Sequence, residues 1–199
     1  MIILDIETTG LSAYEHGICE IGAIQFENPA NKFYMLCKID NIDKIDPDAL
    51  KINGQNHEKV RNIRRVSQKY AISKLFSWAH EKNDFYLGGQ NVGIFDLNFI
   101  NTKAKKYGLK SPFQHRCYEL HSVASAKYDE TYGNLPIKNG KSKFGLTEIL
   151  DFVGMKDNRE THNALEDCKL EAEAISRIRY GKNLIQKYNK FSIPDYLKK

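Results

Sequence analysis

Two acidic residues, Asp5 and Glu7, follow a short apolar run at the start of the chain, MIILDIETTG. The apolar and β-branched residues around them predict a β-strand, whose side chains alternate between the two faces of a sheet. Asp5 and Glu7 therefore point to the same face, with Cα atoms about 6.6 Å apart. Two carboxylates this close repel each other unless protons or cations compensate their charge, so the sequence predicts a positive partner beside this strand.

A third acid, Asp96, lies in GGQNVGIFDLNF, where a strand pattern gives way to a helix pattern. In layered α/β folds, side chains at such strand ends commonly face ligands. The alternative is a structural role in which Asp96 caps the N-terminus of the helix. From this segment alone, capping is the simpler interpretation.

His162 and Asp167 lie in THNALEDC. In an uninterrupted helix their side chains would point about 140° apart. However, Asn163 and Glu166 are spaced as in a capping box, which makes His162 the residue before the cap and Asp167 the fourth helical residue. A hydrophobic staple brings these two positions together, so the sequence predicts contact between His162 and Asp167. A lone histidine before a helix is otherwise usually a plain surface residue.

These segments resemble the three exonuclease motifs of the DEDDh class in the DnaQ-like family, within the RNase H-like superfamily. The matching segments are DIETTG, NVGIFD and HNALED, which follow the family's order, and DPDALKING resembles a further family segment. The histidine stands five residues before the last Asp, which is typical of the h subclass. One departure is that three residues separate Asn91 from Phe95, where the family often has two.

The resemblance implies a catalytic site. Its four carboxylates, which would bind two Mg²⁺ or Mn²⁺ ions, are Asp5, Glu7, Asp96 and Asp167. Such ions prefer oxygen ligands, which fits an acidic cluster better than Cys or His. His162 would be the general base, because imidazole titrates close to neutral pH.

The resemblance also implies substrate-binding residues. Thr8 and Leu11 take the positions that meet the 3′-terminal nucleotide, Asn91 belongs to the second motif, and Phe99 would support a base. Strand termination and core packing are the structural alternatives for these positions, and core packing is the favoured interpretation for Phe99.

The length of 199 residues and the 41% hydrophobic content predict one globular domain, residues 1–183, followed by a tail, 184–199, that is either docked or frayed. The pattern predicts a strand, a hairpin turning at NPAN, one helix over residues 57–82, and a long loop over residues 128–143. The expected fold is α/β. By resemblance it is an RNase H-like mixed five-stranded sheet, with the first three strands antiparallel and helices flanking it.

The net charge of +5 is compatible with a polyanionic partner. Positive charge is clustered in EKVRNIRRVSQK, TKAKKYGLK and IKNGKSK, which favours a phosphate-tracking surface, although each cluster could equally be a solvated face.

No apolar run is long enough for a membrane span, and we expect a cytoplasmic protein. The four scattered cysteines indicate reduced thiols.

The resemblance therefore implies a metal-dependent 3′-to-5′ exonuclease that acts on DNA, most simply single-stranded, and releases nucleoside monophosphates. The alternatives are an exoribonuclease with the same chemistry and a non-catalytic nucleic-acid-binding module. The expected partner is a nucleic acid with a free 3′ end, and association with a polymerase or with a second copy of the chain is left open.

Overall fold

The computed structural model describes all 199 residues and is built around a mixed six-stranded sheet. Its strands are β1 Ile2–Thr8, β2 Ile18–Gln25, β3 Asn28–Lys38, β4 Val66–Ser67, β5 Leu87–Gly89 and β6 Tyr118–Glu119. The spatial order is β4-β3-β2-β1-β5-β6. The first three strands are antiparallel, as predicted, and β5 runs parallel to β1. The sixth strand, β4, was not expected; it adds two residues beside β3, where Cys37 pairs with Val66.

Seven helices and a small hairpin surround the sheet. The helices are α1 Pro47–Ile52, α2 His57–Arg61, α3 Gln68–Lys82, α4 Asp96–Lys106, α5 Leu120–Tyr132, α6 Leu146–Phe152 and α7 Ala164–Tyr180. The hairpin pairs β7 Ile137–Lys138 with β8 Lys141–Ser142. Short 3₁₀ helices follow at Gln186–Tyr188 and Asp195–Leu197. No helix combines the length and apolar character needed to cross a membrane.

The sheet separates two hydrophobic cores, and β1 contributes to both. Ile2, Leu4 and Ile6 pack in the first core, which contains α3 and α4. Ile3 packs in the second core, which contains α5, α6 and α7. This alternation is the one predicted from the strand period. Because Asp5 and Glu7 share the parity of Ile3, they lie on the α7 face of the sheet.

The hairpin between β2 and β3 turns earlier than predicted. Gln25 pairs with Asn28, so the turn is formed by Phe26 and Glu27, and the NPAN segment belongs to β3. Asn and Pro favour turns, but this proline lies in the first residues of a strand, where proline is tolerated. The prediction of a turn at NPAN is therefore wrong, because the turn begins two residues earlier in the chain.

The predicted helix over residues 57–82 is also wrong, because the segment is divided into α2, β4 and α3. Asn62 ends α2 and its side chain accepts from the backbone N–H of Arg64, while Ser67 caps α3 by accepting from that of Tyr70. These local side-chain bonds compete with helix continuation. Ile63, whose spacing fits the apolar face of the predicted helix, is 85% exposed.

Two further segments are more ordered than the sequence indicated. The predicted loop over residues 128–143 contains the end of α5 and the β7–β8 hairpin. The tail after residue 183 is docked, because Tyr188 and Leu197 are buried in the second core. All four cysteines are free thiols.

Candidate active site

Four carboxylates meet where β1, α4 and α7 come together. Glu7, Asp96 and Asp167 are buried, and Asp5 is partly exposed to a cleft although its Oδ2 atom is buried. Asp5 and Glu7 come from β1, Asp96 begins α4, and Asp167 lies in the first turn of α7. The structure thus brings together the four acids that the motifs predicted.

Asp96 is held against β1 rather than used as a helix cap. The cap position of α4 is Phe95, which makes no side-chain capping bond. Asp96 Oδ1 instead accepts from the main-chain N–H of Ile6, at 2.9 Å. The capping interpretation of Asp96 is therefore wrong, and the hydrogen bond places its carboxylate between Asp5 and Glu7 along the strand.

The N-terminus of α7 is fixed to β2, and this sets the position of Asp167. Asn163 caps the helix, with Oδ1 accepting from the N–H of Glu166 at 3.1 Å. Glu20 Oε1 accepts from the N–H of Ala164 at 2.9 Å. A Cβ atom on Gly22 would lie 2.4 Å from the carbonyl carbon of Ala164, so only glycine permits this close approach.

His162 reaches Asp167 as the capping pattern predicted. Its Nδ1 atom lies 3.5 Å from Asp167 Oδ2. Glu7, His162 and Asp167 each supply one possible metal-ligand atom, and these three atoms lie within 4.8 Å of one another. The His162 side chain is 46% exposed. It therefore combines contact with the acidic cluster and access to solvent, which a proton acceptor for a water molecule requires.

The acids are crowded enough to change their protonation. Burial, followed by repulsion from Asp167, raises the pKa of Glu7 to about 9. Burial also raises the pKa of Asp5, and the neighbouring charges of Asp96 and Glu171 add to the effect. The pKa values of Asp96 and Asp167 are raised as well, mainly by burial. Without added positive charge, the cluster can be stable only by retaining protons.

Divalent cations fit this donor set. Three buried carboxylate oxygens have no hydrogen-bond partner: Asp5 Oδ2, Asp167 Oδ1 and Glu171 Oε2. Unpartnered buried oxygens are costly, and a cation would satisfy them. Because the donors are carboxylates, the site suits hard ions such as Mg²⁺ or Mn²⁺.

Three charged residues that support the site were missed at the sequence level. Glu171 is buried on α7 one turn beyond Asp167, and the i, i+4 spacing was the available signal. Arg159 donates to Asp167 Oδ2 at 2.8 Å. Its position three residues before His162 was the only hint. The position of Glu20 beside the site is set by the register between β1 and β2, in which Glu20 pairs with Glu7. This register cannot be predicted from the sequence.

An open cleft of about 370 Å³ leads to the acids. Among the predicted substrate contacts, Thr8, Leu11 and Asn91 line this cleft, but Phe99 does not. Phe99 is 1% exposed and packs against Phe95 in the core that contains α3 and α4, in agreement with the favoured core-packing interpretation, so it does not support a base as the resemblance implied. The full lining is Asp5, Ile6, Glu7, Thr8, Leu11, Ala49, Ile52, Asn53, Gln90, Asn91, Ile94, Phe95, Asp96 and His162.

A mixed sheet with three antiparallel strands, carrying four converging carboxylates and a histidine, defines a nuclease of the RNase H-like fold. Comparison with known families gives the particular family: an exonuclease model, RNase_T, matches residues 2–175. The chain therefore belongs to this DnaQ-like exonuclease family, with the DEDDh set of residues.

Curated relatives include both polymerase and ribonuclease proteins. The DNA polymerase III PolC-type of Caldanaerobacter subterraneus is 26% identical over 177 residues, covering 89% of this chain and 11% of the polymerase. The chain thus spans only about a tenth of that relative. Ribonuclease T of Vibrio campbellii is 22% identical over 192 residues, covering 89% of this chain and 84% of the ribonuclease.

Solved structures share the fold. E. coli exonuclease I in complex with a dT13 oligonucleotide superimposes with a TM-score of 0.70 at 19% identity, covering 89% of this chain and 41% of that one. The nuclease domain of 3′hExo, a DEDDh family member bound to rAMP, gives a TM-score of 0.66 at 18% identity, covering 98% of this chain and 95% of that domain.

Proposed function

We propose that this protein hydrolyses the terminal phosphodiester bond at the 3′ end of single-stranded DNA and releases nucleoside monophosphates one at a time. The observation that carries the proposal is the convergence of Glu7, His162 and Asp167 within 4.8 Å, beside two further carboxylates at the end of an open cleft. Membership of an exonuclease family is consistent with it.

The catalytic metals are part of the proposal. Two Mg²⁺ or Mn²⁺ ions would be held by the four carboxylates Asp5, Glu7, Asp96 and Asp167. When bound, such ions stabilise the attacking and leaving oxygens at a scissile phosphate. The unpartnered oxygens of Asp5 and Asp167 support this assignment, because they are buried ligands that nothing else in the protein satisfies.

His162 is proposed as the general base. Its imidazole borders both the acids and the cleft, so it can accept a proton from a water molecule there and release it to solvent. A carboxylate engaged by a metal is a poorer proton acceptor, and imidazole titrates in the range where such transfer is efficient.

The substrate end would be held by the walls of the cleft. Leu11, Ile52 and Ile94 are apolar residues that line the cleft and remain 83%, 56% and 79% exposed. Exposed apolar side chains beside a polar site can pack against the face of a base. Thr8 and Asn91 line the same cleft, and we propose that they contact the terminal nucleotide.

An exoribonuclease is the second candidate. Ribonuclease T is matched over 84% of its length, and the 3′hExo domain was solved with rAMP, whereas the exonuclease I structures hold DNA oligonucleotides. The acids and histidine serve either substrate, because discrimination depends on contacts to the 2′-hydroxyl. A polymerase partner is proposed only on the similarity to PolC-type polymerases, and self-association has no such support.

The decisive experiment incubates the purified protein with DNA and RNA oligonucleotides of one sequence, single- and double-stranded, labelled at either end. We expect Mg²⁺- or Mn²⁺-dependent loss of nucleotides from the 3′ end of single-stranded DNA, inhibition by EDTA, and nucleoside monophosphate products. Asp167→Asn is the inactive control. Faster cleavage of RNA would select the second candidate, and intact oligonucleotides with both metals would indicate a binding module.

A further inference from the structure

One carboxylate of the site is held by an arginine that the family motifs do not include. Arg159 lies in the segment between α6 and α7, and its side chain is 12% exposed. Its Nη1 atom donates to Asp167 Oδ2 at 2.8 Å. On its other edge, Nε and Nη2 donate to the two carboxylate oxygens of Asp157 at 2.9 and 2.6 Å. The guanidinium therefore joins two carboxylates.

The guanidinium is fixed from outside the site. Thr147 Oγ1 on α6 donates to Asp157 Oδ2 at 2.6 Å, and the N–H of Arg159 donates to Asp157 Oδ1 at 3.1 Å. Paired bonds between a planar guanidinium and a carboxylate fix direction as well as charge. Arg159 is thus anchored to α6 through Asp157 before it contacts Asp167.

This anchoring assigns different tasks to the two oxygens of Asp167. Oδ2 is occupied by Arg159 and faced by His162 at 3.5 Å. Oδ1 is buried without any partner. The carboxylate cannot rotate without losing its bond to Arg159, so Oδ1 stays available as a ligand.

We propose that Arg159 is a positioning residue that holds Asp167 in the orientation required to bind a divalent cation. This inference rests on the metal site of the proposed function and adds a residue to it. Partners that orient a metal ligand typically change metal affinity about 10- to 100-fold when removed. The planar guanidinium, rather than its charge alone, is the required feature, because it alone can bridge Asp157 and Asp167 with separate edges.

The test measures Mn²⁺ binding to the free protein by electron paramagnetic resonance, without nucleic acid. We expect Arg159→Gln to raise the Mn²⁺ concentration for half-saturation about 10- to 100-fold. Arg159→Lys should recover only part of that loss. Arg64→Gln, which removes an exposed arginine without a side-chain bond, is the matched control and should bind as the wild type does.

A folding defect is separated from a positioning effect by a second variant. Asp157→Asn keeps Arg159 but weakens its anchor, and we expect it also to weaken Mn²⁺ binding while circular dichroism stays native. Wild-type Mn²⁺ affinity in Arg159→Gln, or full recovery in Arg159→Lys, would overturn the inference. So would a wild-type protein that binds no Mn²⁺.

A parallel nuclease assay keeps the two proposals distinct. If the wild type binds Mn²⁺ and Arg159→Gln does not, but the wild type cleaves neither DNA nor RNA, the proposed function fails and the positioning role stands. If the wild type cleaves and the variant binds Mn²⁺ equally well, the positioning role fails and the proposed function stands.

Discussion

The main-chain N–H of His162 donates to the carbonyl oxygen of Ile52 at 3.0 Å, and this bond ties the start of the third motif to the end of α1. The next residue, Asn53, donates from its side chain to the carbonyl of Thr8 at 3.0 Å. The DPDALKING segment therefore links the end of β1 to the histidine. It supplies no acid to the cluster, yet it determines where two parts of the site lie.

Asn53→Ala should weaken this link. Asn53 is buried, and its removal leaves the Thr8 carbonyl without that partner, at a cost of about 1–3 kcal/mol in the free energy of unfolding. Because the bond lies beside the cleft, we expect the single-turnover rate of cleavage to fall as well. Urea denaturation and single-turnover cleavage measure the two effects. Lys51→Ala, an exposed change on the same helix, is the control and should alter neither.

His162→Ala should separate binding from chemistry. A general base contributes roughly 10²- to 10⁴-fold to rate, so cleavage should fall by that factor, while oligonucleotide affinity measured with Ca²⁺ stays within threefold. His57→Ala removes an exposed histidine on α2 and should leave both unchanged. Turnover of His162→Ala at the wild-type rate in saturating Mg²⁺ would exclude this residue as the base.

The parts of the site that sequence predicts are those fixed by local periodicity. The strand period places Asp5 and Glu7 on one face, and the capping pattern brings His162 to Asp167, because both effects act within a few residues. Asp96 joins them through a bond to Ile6, which no local pattern reveals.

Long-range pairing explains what the sequence did not predict. Val66 fits a helical pattern, but its pairing with Cys37 on β3 makes it a strand residue. The supporting contacts of Arg159 and Glu20 likewise depend on how α6, α7 and β2 pack, not on neighbours in sequence. Tertiary contacts can override local propensity in this way, and a single sequence does not contain their register.

The lysines of the β7–β8 hairpin should contribute to nucleic-acid binding. Lys138, Lys141 and Lys143 are exposed and form no ion pair, whereas Lys103 and Lys106 of another positive cluster are paired with aspartates. The base of the hairpin lies near the cleft, because the Gln90 side chain donates to the carbonyl of Phe144 at 3.1 Å. The hairpin is thus a positive cluster that is both unpaired and close to the cleft, and so available to phosphates.

Lys138→Ala with Lys141→Ala should weaken binding of single-stranded DNA in a salt-dependent manner. The slope of log K against log salt is negative, and each lost phosphate contact reduces its magnitude by about 0.7, so the pair should reduce it by about 1.4. Fluorescence anisotropy over a range of NaCl concentrations measures the slope. Lys32→Ala with Lys74→Ala removes two exposed lysines that also form no ion pair, and an equal effect there would show that net charge, not the hairpin, matters.

The metal-free protein should lose stability as pH rises. The pKa of Glu7 is raised from 4.5 to about 9 in the folded protein, mainly by burial, so the folded state binds more protons than the unfolded state between those values. The resulting stabilisation is complete below about pH 4.5 and is lost as pH rises through 9. Urea denaturation in EDTA at pH 6, 7.5 and 9 should show this decline.

Mn²⁺ should reduce this decline, because a cation replaces the protons that the acids would otherwise retain. Glu7→Gln should reduce it in EDTA, since the amide does not titrate. Glu130→Gln changes an exposed glutamate on α5 and should preserve the wild-type profile. Stability in EDTA that increases toward pH 9 would contradict the protonated, crowded cluster described here.

The C-terminal tail should be required for the stability of the domain, which we propose extends beyond residue 183. Arg177 is fully buried on α7 and donates to Tyr188 and Phe191 carbonyls in the tail, while Glu173 accepts from the N–H groups of Leu184 and Ile185. Arg177 and Glu173 also pair with each other at 2.9 Å. Removing residues 184–199 would therefore leave buried charged groups without their tail partners.

Removal of residues 184–199 should lower the free energy of unfolding by several kcal/mol. This loss is comparable to the roughly 3–5 kcal/mol for breaking a buried ion pair. Arg177→Met should destabilise the full-length chain in the same direction, because it leaves Glu173 buried without its cation. Removal of Lys198 and Lys199 alone, which spares Leu197, is the control. A truncated protein that unfolds at the wild-type urea concentration would show that the domain ends at residue 183.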